Sequence, residues 1–444
     1  MRSIWISYGR LNGRIYFSLI TLFLLLAFSN TILGNESSEL YQTYSNSYED
    51  ILSMINQLNE SIYLNYLEDI VSFGPRVTSS PACEAAAEYI YGEFKKLGLK
   101  VRFNNFTYHG KNASNIEATI PGIYNGSDEI YIICAHYDSV TSSPGADDNG
   151  AGTCAVLSAA KVMSKYTFNH TVKFVVFAGE EQGLLGSHFY VVDAYENGDN
   201  IIGVLNADMI GYAPKEEDAK RVKVYYNDES EWLCSFTVDV YQEYNDYLSA
   251  KPIPSGLFGR SDHVSFWSLG YDSIFYHEYH FNPNYHSNGD TIKIMNINYA
   301  TNVSKLMLAT LAELAEVTSN TPPSTPSISG PSTGKPGEEY QYSIETTDYH
   351  LNPIYYYIDW GDNTSSNWIG PYKSGEKINI SHTWNQQGAF YVKVKAKDIY
   401  DAESDWTTLK VTMPRETRSF IESHPLIRLI NFYLPRIFNH LSFL

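Results

Sequence analysis

Three short apolar runs constrain the fold of this chain most: 130–135 (IYIICA), 172–178 (VKFVVFA) and 201–207 (IIGVLNA). None alternates with polar residues as a half-exposed strand does, so each reads as a strand covered on both faces. Helical patterns at 81–97, 151–165 and 186–197 flank and separate them. Strands alternating with helices in this way predict an α/β fold, a mainly parallel sheet sandwiched by helices. In such folds ligands bind beyond the carboxyl ends of the strands.

Those ends carry the chemistry. The first run leads into His136, Tyr137, Asp138 and Ser139, the second into Glu180 and Glu181, the third into Asp208. The turn PGADDNGAG (144–152) holds Asp147 and Asp148, and the later segments RSDH (260–263) and NPNYHSNGD (282–290) add His286. Taken singly, each has a plain structural reading: a Glu-Glu pair is a solvated turn, and Asp-Asp-Asn-Gly is good turn sequence. Together, at the ends of three strands, they would gather charges that repel and resist burial. A bound cation removes that conflict. Imidazole and carboxylate ligands without thiolate suit zinc in an open, catalytic site.

HYDS, PGADDNGAG, FAGEEQGLLGS, LNADMIGY, SDHVSFW and NPNYHSNGD together resemble the signatures of the secreted zinc aminopeptidases of peptidase clan MH, over about residues 65–315. Relatives of that family include glutamate carboxypeptidases, glutaminyl cyclases and the transferrin receptor. The resemblance implies a zinc exopeptidase fold with two zinc ions. It assigns His136 and Asp208 to one zinc, Glu181 and His286 to the other, Asp147 as the bridge and Glu180 as the general base. Asp138 would orient the His136 ring, and the peptide bond after the bridging aspartate, here Asp147–Asp148, would be cis. It also places Met209, Phe258 and residues 274–279 around the substrate. Their apolar character favours an apolar amino-terminal residue, unless these aromatics simply pack the core. Arg260, if it received a substrate carboxylate, would favour a carboxypeptidase. His188, His263, His277 and His280 match no ligand position.

The rest of the chain divides by composition. Residues 1–34 combine Arg2, Arg10 and Arg14 with an apolar run, IYFSLITLFLLLAF, and read as a signal peptide or an uncleaved anchor. Either reading exports the protein, to the medium or the cell surface. Asn-x-Ser/Thr acceptors at Asn35, Asn59, Asn105, Asn112, Asn125, Asn169, Asn302, Asn363 and Asn379 fit export as glycosylation sites. Cys83, Cys134, Cys154 and Cys234 are either buried thiols or disulfide partners. The peptidase-like part spans 35–320, and a Pro/Ser/Thr/Gly linker 321–337. Residues 338–413 show short alternating runs that predict a β-sandwich. YYYIDWGDNTSS, containing Asp359, Trp360, Gly361 and Asp362, resembles a PKD-type immunoglobulin-like domain, which implies a spacer or adhesion module. The tail 414–444 mixes Arg415, Arg418, Arg428 and Arg436 with apolar residues, as an amphipathic segment on a membrane or one packed on the protein would.

With 50 acidic against 31 basic residues, the net charge of −19 removes nucleic acid as a partner. The expected partners are peptides or proteins as substrates, with membrane or cell-surface association through either end. The function this supports is an exported di-zinc aminopeptidase. A carboxypeptidase or glutaminyl cyclase of the same family and a non-catalytic adhesion protein are the alternatives.

Overall fold

The computed structural model of the chain describes residues 36–414. Residues 1–34, read as a signal peptide or anchor, and all but the first residue of the tail 414–444 lie outside them. No helix among the described residues is long and apolar enough to cross a membrane.

After the helices Glu36–Gln57, Glu60–Ser72 and Pro81–Lys96, the chain builds one eight-stranded sheet. Its strands are β1 (Lys100–Tyr108), β2 (Lys111–Ile120), β3 (Glu129–His136), β5 (Thr171–Phe177), β6 (Asn200–Ala207), β7 (Arg221–Tyr225), β8 (Lys251–Pro254) and β9 (Ser273–Glu278), in the order β1-β2-β5-β3-β6-β9-β7-β8. β4 (Thr167–Phe168) lies apart, paired with β10 (Val317–Thr318). The central four, β5, β3, β6 and β9, run parallel. The hairpin β1–β2 and strand β7 join them antiparallel.

The apolar runs are continuous because both faces are covered. Ile132, Cys134, Val175, Phe177 and Val204 face Tyr190, Val191 and Ala194 of the helix Leu185–Asn197, with Phe266 beside them. The other side of β3, β5 and β6 packs on the helix Gly152–Met163, against which Ile297–Leu314 packs in turn. Each fully buried Ile, Val or Phe contributes about 1.5–3 kcal/mol, so the sheet anchors the loops at its carboxyl rim firmly. All four cysteines are buried free thiols, which decides between the two readings of them.

The β-rich part has two antiparallel sheets. One holds β11 (Ser327–Ser329), β12 (Glu339–Glu345) and β15 (Ile378–Thr383), the other β14 (Ser365–Tyr372), β13 (Ile354–Asp359), β16 (Gly388–Lys397) and β17 (Thr407–Met413). In β13, Ile354, Tyr356 and Ile358 turn inward; in β16, Phe390, Val392, Val394 and Ala396 do so. Two features depart from expectation. Strand β11 lies inside the stretch read as linker, and β14, SSNWIGPY, lacks the alternation that marks β13 and β16. β14 is an edge strand that contains a cis Gly370–Pro371 bond, and edges tolerate proline because its missing N–H is not needed there. The Asp359–Asp362 run makes a turn: Asp359 accepts the Gly361 N–H, and Trp360 stacks on His382 at 4.4 Å.

Candidate active site

β3 ends on His136, β5 leads through Ala178 and Gly179 to Glu180 and Glu181, and β6 leads to Asp208. Because these strands are parallel neighbours, their side chains meet at one rim. His136 Nε2 lies 3.4 Å from Asp208 Oδ1 and 4.0 Å from Glu180 Oε2. On the far side, His286 Nε2 lies 2.9 Å from Glu181 Oε2. His286 reaches this place on a loop where its own φ is +56°.

The residue between the two imidazoles is Asp148. Its Oδ1 is 3.4 Å from His136 Nε2, and its Oδ2 is 3.3 Å from His286 Nε2. Asp147, expected in that position, turns away. Its Oδ1 accepts the Gly211 N–H at 2.8 Å, its Oδ2 accepts from Asn282 Nδ2 at 2.9 Å, and Glu278 shares a hydrogen bond with it. The cis peptide bond likewise lies one position later than expected, at Asp148–Asn149. Adjacent side chains in this turn diverge, so only one of two chemically identical aspartates can face the rim. Asn149 helps to decide which, since its Nδ2 donates to the Ala207 carbonyl and its Oδ1 accepts the Gly152 N–H.

The supporting contacts are specific. Asp138 Oδ1 lies 3.4 Å from His136 Nδ1 and accepts the Glu180 N–H at 3.3 Å, while its Oδ2 accepts the Glu181 N–H at 3.3 Å. One carboxylate thereby orients a ring and places two glutamates. Ser261, noted before only as part of RSDH, donates to Asp208 Oδ2 at 2.8 Å and accepts from Asn206. His277 Nδ1 lies 3.0 Å from the Asp208 carbonyl oxygen. His263 is buried, bonded to the Phe258 carbonyl and stacked on Phe275. Arg260 is exposed.

The electrostatics show what the rim lacks. Burial, ahead of the Asp148 charge, pushes Glu181 up to about 8, and burial also drives Glu180 well above the usual carboxylate range. Burial would raise Asp148 too, but the His136 and His286 imidazoles, within 3.4 Å of its two oxygens, outweigh it and hold it at about 2. The charges of Asp208 and Glu180 raise His136 well above the usual imidazole value, although burial opposes them. Meanwhile His136 Nε2, Asp208 Oδ1, Glu181 Oε1 and His286 Nε2 are buried without a hydrogen-bond partner. Orphaned ligand atoms aimed at one another fit a cation. With Glu180 and Asp148 their residues form two groups, His136, Glu180 and Asp208, and Asp148, Glu181 and His286, each with ligand atoms within 4.8 Å of one another. Imidazole and carboxylate donors of this kind fit zinc.

A pH dependence follows. Between its ordinary value of 4.5 and about 8, Glu181 holds a proton in the folded state that the unfolded chain has lost. Metal-free protein is therefore expected to be most stable below that window and to lose stability as the pH rises through it. Zinc displaces those protons, so its gain in melting temperature should be larger at pH 8 than at pH 6. Melts of chelated and reloaded protein check this; an equal or smaller gain at pH 8 contradicts it.

An aromatic band leaves the rim beside His286. Ring centroids step from His286 to Tyr285 (3.7 Å), Phe281 (5.2 Å), His277 (6.0 Å), Phe275 (5.4 Å), Phe258 (6.1 Å) and Tyr225 (4.8 Å). Phe258, Phe281 and Tyr285 are exposed on it. Met209, Ile274 and Tyr276 are buried, so that part of the segment expected to line the substrate serves the core.

The model of Peptidase family M28 matches residues 115–311. A probable leucine aminopeptidase of Trichophyton verrucosum is 30% identical over 284 residues, 59% of this chain and 73% of that protein. Among solved structures, the LapA aminopeptidase of Legionella pneumophila superposes with a TM-score of 0.55 at 23% identity, covering 61% of this chain and 75% of that one. BSAP, a zinc aminopeptidase from Bacillus subtilis, superposes with a TM-score of 0.53 at 18% identity, covering 59% and 95%. These two share a fold with about three fifths of this chain.

Proposed function

The chain belongs to peptidase family M28, and we propose that it works there as an exported zinc aminopeptidase that uses two zinc ions to release apolar residues from the amino ends of peptides. The observation that carries this reading is Asp148, which offers one carboxylate oxygen to each of two ligand groups, with Glu180 alongside. His136 and Asp208 would hold one ion, Glu181 and His286 the other, and Asp148 both. Zinc, when bound, polarises the scissile carbonyl and acidifies a water.

The protein supplies the proton path and the orientation. Glu180 is kept close to the rim by its N–H bond to Asp138. It takes the proton of the attacking water and returns it to the departing amine. Burial raises its pKa, the direction that suits a group that must both accept and release a proton. Asp138 fixes the His136 ring so that Nε2 faces the site. The exposed rings of Phe258, Phe281 and Tyr285 offer an apolar wall for the first side chain of the substrate. The relatives named leucine aminopeptidases support the same preference.

Offering leucyl anilide, a peptide ending in glutamate and a peptide beginning with glutamine to the zinc-loaded protein tests the reaction class. Turnover of the anilide alone is expected. Release of the terminal glutamate, or cyclisation of the glutamine, would assign another branch.

A further inference from the structure

The turn that presents Asp148 is held between two fully buried charged side chains that no strand-end pattern marks: Arg76 and Asp290, both 0% exposed. On one side, Arg76 Nη1 donates to the Pro144 carbonyl and Nη2 to the Gly145 carbonyl, each at 2.8 Å. On the other, Asp290 Oδ1 accepts the Asp147 N–H at 2.9 Å and Oδ2 accepts the Asp148 N–H at 3.2 Å. Cation meets carbonyls and anion meets amides, so the peptide dipoles of one turn offset both buried charges.

Each residue also reaches a second ligand segment. Arg76 Nε donates to the Tyr137 carbonyl at 2.6 Å, between His136 and Asp138, and the Arg76 N–H donates to Ser139 Oγ at 3.0 Å. Asp290 sits four residues after His286 in the same loop, and Ser142 Oγ donates to the His286 carbonyl at 2.9 Å. Ser143 Oγ bridges the turn to Asp290, donating to Oδ2 at 3.2 Å while accepting the Gly145 N–H at 3.0 Å. The space is filled: Gly145 has φ +63°, and a Cβ there would lie 2.6 Å from Ser139 Cβ and 2.8 Å from Arg76 Nη2.

We propose that Arg76 and Asp290 are positioning residues that hold the Asp148 turn in register with the His136 segment on one side and the His286 segment on the other. They thereby decide whether both ligand groups can be filled at once. This rests on the di-zinc reading of the same rim. Geometry explains why the residue types matter. A guanidinium serves three carbonyls, of Pro144, Gly145 and Tyr137, from one plane, which a lysine ammonium cannot. A carboxylate accepts two neighbouring N–H groups, whereas an asparagine would turn its own amide donor towards one of them.

The test uses Arg76→Lys and Asp290→Asn in the full chain. Zinc content is read against increasing chelator, together with the visible spectrum of cobalt-loaded protein and kcat and KM on leucyl anilide. Each variant is expected to retain zinc about 10–100-fold less tightly, to show an altered cobalt spectrum, and to lose kcat more than KM. Ser143→Ala, which removes one bond from the same frame, should weaken zinc several-fold in the same direction and keeps the test open if the charged-residue variants do not fold. Wild-type zinc retention and cobalt spectra in the folded variants overturn the positioning role. Anilide inactivity of zinc-loaded wild-type protein would instead overturn the reaction class, leaving the zinc and cobalt comparison intact.

Discussion

Glu180→Gln is expected to keep its zinc and lose turnover, with kcat falling about 10²–10⁴-fold, or about 3–5 kcal/mol of transition-state stabilisation. The substitution preserves shape, and the Glu180 N–H bond to Asp138 belongs to the backbone, so the loop stays placed. What disappears is the ability to take a proton and give it back. KM for leucyl anilide should change little, because the substrate is held by other groups. The pH profile should also lose the limb that reports the ionisation of this carboxyl. Zinc analysis and steady-state kinetics on the same preparation check both halves. Near wild-type turnover would remove Glu180 from the chemistry, whereas loss of zinc would make it a ligand instead.

Asp148→Ala should be more severe, because it removes a group from both ligand sets at once. Activity is expected to fall at least about 10³-fold, beyond the 10–100-fold that losing a supporting partner costs, and bound zinc should fall with it. Asp147→Asn makes the informative contrast. Asp147 satisfies the Gly211 N–H and Asn282 Nδ2 in a buried place. Leaving one such donor unpaired costs about 1–3 kcal/mol of stability, while zinc should remain. Equilibrium unfolding and metal analysis of the two variants separate a structural aspartate from a ligand. If Asp147→Asn lost the zinc and Asp148→Ala kept it, the assignment of the two would reverse.

This pair also marks the boundary of what the sequence could say. The parallel strands were readable because β3, β5 and β6 are apolar on both faces, and the residues after them are ionisable. Strand direction then brings His136, Glu180, Glu181 and Asp208 to one rim without further information. Asp147 and Asp148 carry the same side chain at consecutive positions. Only the backbone of their turn, fixed by Asn149, Arg76 and Asp290, determines which faces the imidazoles. Those three act through hydrogen bonds between segments far apart in the chain, which spacing does not reveal. Ser261 is similar: its bond to Asp208 spans 53 positions. In the β-rich part, β13 and β16 announced themselves by alternation, whereas β14 opens with Ser-Ser-Asn and carries Gly370 and Pro371. β11 hides in a Pro/Ser/Thr stretch because its pairing with β12 needs only three residues.

Hydrolysis at this rim is expected to depend wholly on zinc held there. Protein stripped by a chelator and titrated with zinc, with leucyl anilide turnover followed at each addition, tests it most directly. Activity near zero at the start, rising to a plateau at two zinc per chain, is the predicted result. Full turnover in metal-free protein, or no turnover at any zinc level, would contradict it.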